Sequence, residues 1–160
     1  MRGGARFETR GADRVIRQRI KALAGISITV GIHRGKTNDG IDVATYAAWN
    51  NFGTKNAMGW ELIPARPFMQ YSANKIAGWM KGNEYQQIIY SVMSGKRTPQ
   101  QTAAIIGLTA SRMTNQIMHT SSLYKPNSPV TIARKGTGRR VLESSGSLFR
   151  YGATFKVHNQ

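Results

Sequence analysis

The sequence predicts an α+β fold, a small and mainly antiparallel sheet flanked by helices, and three observations carry that expectation. Apolar and polar residues alternate in two widely separated stretches, one near residue 30 and one at the C-terminal end. Between them, apolar residues recur at spacings of three and four, with turn-forming residues marking the boundaries. The strands are few and far apart and there is no internal repeat, which favours separate helices and strands over a doubly wound parallel sheet.

Residues 1–12 hold three glycines and almost no apolar pattern, so they read as a flexible basic arm; residues 13–160 then form one domain. From Asp13, a plausible N-cap, Ile16, Ile20 and Leu23 keep helical spacing, and Gly25 stands where a left-handed C-terminal cap belongs. Ile26, Ile28, Val30 and Ile32 alternate with Ser27, Thr29, Gly31 and His33, the period of a strand with one covered face. Residues 34–41 are turn-forming and read as a surface loop. A short helix follows from Asp42 to near Gly53, and Lys55 to Glu61 looks irregular.

Pro64 and Pro67 predict an extended entry to a helix that begins near Phe68 and runs towards Met80, with helix resuming through EYQQIIYSVMSG. Thr98-Pro99-Gln100-Gln101 combines an N-cap Thr, a first-turn Pro and the Gln of a capping box. Ala103, Ile106, Ala110, Met113 and Ile117 draw one stripe along the helix that follows, which is expected to pack on the sheet. Ser128-Pro129 starts a short helix that Gly136 ends, the SSGS run at 144–147 reads as a turn, and Tyr151, Ala153, Phe155 and Val157 alternate as the closing strand.

The 160 residues, 40% of them apolar, suit one domain with a core of its own. No apolar run is long enough to span a bilayer and MRGGARFETR lacks the apolar stretch of a signal peptide, so a soluble chain made in the cytoplasm is expected. With no cysteine, disulfides, thiolate metal sites and thiol catalysis are excluded. His33, His119 and His158 stand far apart without partners at ligand spacing, and no GxSxG or GxxxxGK[ST] pattern occurs. No catalytic, cofactor-binding or metal-binding residue is therefore assigned, and no enzymatic activity is expected.

Charge is the outstanding property of the composition. Twenty-three Lys and Arg against seven Asp and Glu give a formal charge of +16, and seven of the cations lie between Arg2 and Lys21. Arg134, Lys135, Arg139 and Arg140 form a second basic group in a glycine-containing stretch. Such a field attracts nucleic acid or acidic protein surfaces without choosing between them. A basic, sequence-independent nucleic-acid-binding protein is accordingly the alternative reading of this chain. Against it, no helix-turn-helix, zinc-finger or RNA-recognition signature is present, and Tyr46, Trp49, Phe52 and Phe68 fall at positions typical of core or interface rather than of base stacking.

Three segments carry a resemblance. VGIH at 30–33 followed by ATYAAWNNFGT at 44–54, IPARPFMQYS at 63–72, and NSPVTIARKGTGRRVLESSGSLFRYGATFKV at 127–157 occur in this order. Together they resemble the neck and tail-completion proteins of long-tailed phages, a virion-morphogenesis group related to lambdoid-phage tail components. That group has a strand ending in Val-Gly, an Ala-x-x-x-Glu-Phe-Gly-Thr element, a Pro-x-Arg-Pro-Phe turn, and a Ser-Pro-x-Thr-x-x-x-Lys-Gly segment leading to Asp-Thr-Gly-x-Leu. Here Asn51 stands in place of the usual Glu, and Glu143-Ser144-Ser145-Gly146 replaces Asp-Thr-Gly; the stretch from about 81 to 97 lies outside the likeness.

The resemblance implies a structural virion protein at the head-tail junction, assembled in the host cytoplasm. Its partners would be copies of itself in a cyclic ring, a hexamer or dodecamer, together with connector or stopper and tail-tube or tail-terminator proteins. DNA in the channel is a further possible contact; a membrane is not. A closing ring needs one patch on each copy to complement a different patch on the next. The candidate contact residues are Arg2, Arg6, Arg10, Trp49, Phe52, Arg66, Phe68, Arg134, Lys135, Arg139 and Arg140. Arg66, between two prolines and next to Phe68, reads either as a solvated turn residue or as a fixed guanidinium presented to a neighbour, the second slightly favoured. The arm and the segments near 34–41 and 134–140 are expected to order on assembly.

Overall fold

A computed structural model describes residues 10–136, 140–143 and 146–159, and it is an α+β structure. In chain order the elements are α1 Arg10–Ala24, β1 Ile26–Gly31, β2 Thr37–Asn38, β3 Ile41–Asp42, α2 Val43–Phe52, β4 Thr54–Lys55, β5 Glu61–Ile63, α3 Phe68–Trp79, α4 Asn83–Met93 and α5 Pro99–His119. A single 3-10 turn at Ser121–Leu123 then leads to α6 Pro129–Lys135, α7 Ser147–Tyr151 and β6 Thr154–Asn159.

The two stretches with the clearest alternation find each other. β1 and β6 pair antiparallel from Ile26 opposite Asn159 to Gly31 opposite Thr154, so a ladder closes across almost the whole described chain. The remaining strands form two separate antiparallel hairpins, β2–β3 and β4–β5. Helix α5 lies against both strands of the main ladder and also meets α1, α3 and α4. Gly107 is where α5 and β6 come closest, since a Cβ there would stand 2.3 Å from the Phe155 ring. The central apolar cluster joins Val43 and Ala47 of α2, Phe68 of α3, Met118 of α5 and Leu148 of α7 with Tyr124, Leu142 and Ala153.

Local chemistry explains most of the boundaries. Thr98 caps α5 through its hydroxyl, which accepts from Gln101 N–H, while the Gln101 side chain accepts from Thr98 N–H, a complete capping box with Pro99 in the first turn. Ser128 caps α6 through its hydroxyl, which accepts from Thr131 N–H at 3.2 Å, again with a Pro in the first turn. Asp42 caps α2, and Gly53 ends it at φ 73°.

Several expectations require correction. Helix α1 begins at Arg10, not Asp13, so residues 10–12 belong to it and not to an arm; residues 1–9 lie outside the described part. Gly25 is not left-handed: its N–H donates to the Lys21 carbonyl at 3.0 Å, continuing the helical bond pattern into the strand. Segment 34–41 is no plain loop, because Asp39 (φ 51°) and Gly40 (φ 79°) both take positive φ, as a two-residue type I′ hairpin turn requires.

The stretch from Lys55 to Glu61 is likewise a hairpin connection, with Asn56 Oδ1 accepting from both Met58 and Trp60 N–H. Tyr151 belongs to α7, and the strand starts only at Thr154, after Gly152 turns at φ 57°. Gly146, at φ 78°, leads into α7 and not directly into a strand. On α5 the buried positions are Thr102, Ala103, Gly107, Ala110, Ser111, Thr114 and Met118, so the expected stripe holds at Ala103 and Ala110 and is displaced elsewhere. Ile106, Met113 and Ile117 are half-buried, because elements pack on several sides of this helix and small side chains mark the closest approaches.

Candidate functional site

The three chain segments at 44–54, 63–72 and 127 onward converge on one side chain, Arg66. Helix α2 is held at its start by Asp42, whose Oδ1 accepts from Ala44 N–H at 2.8 Å and whose Oδ2 accepts from Gly35 N–H at 2.9 Å. Those N–H groups, Gly35 first and Ala44 next, hold the Asp42 carboxyl below its ordinary value. At the other end of α2, a Cβ on Gly53 would stand 2.8 Å from both Ala65 N and Ile63 O. Only glycine lets the 63–65 backbone run this close.

Two asparagines lock the crossing. Arg66 N–H donates to the Asn50 carbonyl at 2.9 Å. Asn51 Oδ1 accepts from Met69 N–H at 3.0 Å, satisfying a first-turn donor of α3 that its N-cap, Pro67, has no side-chain group to reach.

Arg66 itself is 4% exposed. Its Nε donates to the Lys125 carbonyl at 3.4 Å, Nη1 to Asn50 Oδ1 at 3.4 Å and Nη2 to Asn127 Oδ1 at 3.0 Å. Burial lowers its pKa from the ordinary arginine value, opposed by the Tyr46 and Glu61 charges. Among the described residues no carboxylate lies within 4.0 Å of it; Glu61 instead bridges Lys125 at 2.6 Å. Arg66 borders a cavity of about 370 Å3 whose wall also includes Tyr46, Glu61, Lys125, Asn127 and Lys135. The expectation of a guanidinium offered outward at a turn is thus corrected: it is buried and bonded to two other segments, at Asn50 and at 125–127.

The other candidate residues divide. Phe68 is 1% exposed in the central cluster, so it supports the core and is not an interface residue; an aromatic side chain entering α3 beside Val43 and Met118 is fully enclosed. Trp49 is 39% exposed and Phe52 78% exposed. Arg134 is exposed on α6, and Lys135 Nζ donates to the Val141 carbonyl at 3.4 Å. Arg140 meets His119 Nδ1 and lies 6.0 Å above the Phe149 ring, which stacks on His119 at 4.3 Å. Arg10 opens α1; Arg2, Arg6 and Arg139 lie outside the described residues.

Sequence reasoning missed the exposed apolar side chains of the β4–β5 hairpin. Met58, Trp60 and Leu62 are 79%, 71% and 64% exposed and follow Phe52 within eleven residues of chain. Large apolar side chains concentrated in this way mark a docking surface more often than solvent-facing decoration. The available signal was a Met and a Trp beside Gly59 in a stretch without helical or strand period. A separate basic face lies on α1, where Arg14, Arg17 and Lys21 are exposed at spacings of three and four, while Arg19 turns inward and Nη1 donates to the Met93 carbonyl of α4.

Among the described residues there is no group of three or more His, Asp and Glu able to hold a metal, and no helix long and apolar enough to cross a membrane. No protein-family model, curated protein or solved structure matches the chain.

Proposed function

We propose that this chain is a structural subunit of the tailed-phage head-tail junction, a neck, tail-completion or tail-terminator protein that forms a closed ring between the capsid connector and the tail. The observation that carries the reading is the exposed apolar series Phe52, Met58, Trp60 and Leu62 on and beside one short hairpin. A ring subunit needs such a patch, held in fixed geometry, to fit a different patch on the next copy. The convergence on Arg66 supports it further: the three segments with family likeness build the support from which that hairpin projects, since β5 runs directly into Pro64 and Arg66. In this reading the cations of α1 and of the 134–140 region face acidic surfaces of neighbouring virion proteins or DNA in the channel.

The test is cryo-electron microscopy of purified virions at the head-tail junction. A closed ring of this chain between portal and tail tube is the expected result; a virion lacking the chain refutes the assignment. In the isolated protein, Trp60→Ser and Met58→Ser are expected to abolish self-association while leaving the melting temperature nearly unchanged, as read by native mass spectrometry and calorimetry.

The exposed face Arg14, Arg17 and Lys21 favours one second reading, a sequence-independent nucleic-acid binder. That reading requires tight DNA binding that weakens steeply with salt, together with absence from virions.

A further inference from the structure

Arg66 has five N–H donors, and neutral acceptors use three of them, two at the long distance of 3.4 Å. One N–H on each Nη remains. Enclosing a guanidinium without a counter-charge is costly, and a protein that keeps one beside an open cavity leaves a strong anion receptor in place. The nearest acid is already engaged, since Glu61 is held by Lys125. Lys135 and the Lys125–Glu61 pair stand on the cavity wall, whereas Leu62, Ile63, Pro64 and Pro126 make part of it apolar.

From these groups the geometry points to a receptor site for a side-chain carboxylate, the Glu or Asp of an acidic segment in a partner protein. The two remaining Nη hydrogens match the two oxygens of a carboxylate. The apolar wall suits the methylene stem that such a side chain carries and that an inorganic phosphate lacks. With 23 cations and only seven acids in the chain, carboxylates are scarce within the protein itself. The site stands on its own geometry whichever assembly the chain enters. Its occupant would complete the charge balance of a side chain that otherwise only joins α2 and the 125–127 segment.

The experiment is NMR on the full chain, following the Arg66 Nε–H and Asn127 side-chain amide resonances during titration with N-acetyl-glutamate amide, N-acetyl-glutamine amide and inorganic phosphate. Saturable shifts with the glutamate probe, and none with the glutamine probe, are expected. Arg66→Lys should weaken binding by about tenfold through loss of the two-pronged contact, and Lys125→Gln, at an exposed position, by about twofold. The second variant keeps the test valid should Arg66→Lys fail to fold. Phosphate binding as well as or better than the glutamate probe overturns the carboxylate assignment. Absence of shifts with every probe, or binding unchanged in a folded variant, overturns the site.

Discussion

Gly53, Gly136 and Gly152 share one backbone region and differ in what surrounds them, so the same substitution in each separates strain from crowding. Their φ and ψ are 73° and 170°, 86° and 157°, and 57° and −177°. In this region an L side chain pays about 2 kcal/mol of backbone strain, and Ala recovers about 0.7 kcal/mol by stiffening the unfolded chain. Gly136→Ala, with nothing within 4 Å of the new Cβ, should therefore cost about 1 kcal/mol.

At Gly53 the Cβ meets two backbone atoms at 2.8 Å. Backbone cannot rotate aside, so about 2 kcal/mol of crowding adds to the strain, for a total of about 3 kcal/mol. Gly152→Ala should fall between, because its neighbour is the Asn115 side chain at 2.8 Å, which can move at the expense of its bond to Ala153 N–H. Urea unfolding followed by tryptophan fluorescence measures all three. For a chain of this size the Gly53 variant should melt roughly 10 °C below the parent. Equal losses at Gly53 and Gly136 would refute close backbone approach as the reason for glycine at 53.

Phe68→Ala should cost about 4 kcal/mol in the same unfolding assay, since it opens a cavity in the central cluster. A loss below about 1 kcal/mol would return Phe68 to the surface. Thr98→Ala removes one half of the capping box and should cost about 1 kcal/mol, with increased amide exchange confined to the first turn of α5. The pKa of His33 is lowered from 6.5 by burial and then by Lys156 and His158; that of His119 is lowered by burial and then by Arg140, against Glu143. The unfolded chain then takes up protons more readily than the folded one, so stability should fall as pH drops below about 6.5 and level off beneath the folded values. Replacing both histidines by Gln should flatten that slope between pH 7 and 5.

Secondary structure near strong local signals was legible from residues alone. The capping box at Thr98, the Ser-Pro start of α6 and the alternation of β1 act within one or two turns of chain, where hydrogen bonding and side-chain period leave few alternatives. The Asp39-Gly40 turn and α7 were equally local but went unread, because Gly-rich polar stretches suit loops, hairpins and short helices alike. Composition by itself also determined the positive field and excluded thiol chemistry.

What only the tertiary structure decided is which side chains face water. Arg66 and Phe68 sit two residues apart and were expected at a surface, yet both are buried, and two distant segments, around Asn50 and at 125–127, close over Arg66. Met58, Trp60 and Leu62 have the hydropathy of core residues and stand exposed on a hairpin too short to bury them. Burial is a property of neighbours brought together across the chain; periodicity reports on neighbours along it. For that reason the long helices and the β1 strand follow from sequence, while the arginine cavity appears only when residues 50, 66 and 127 meet.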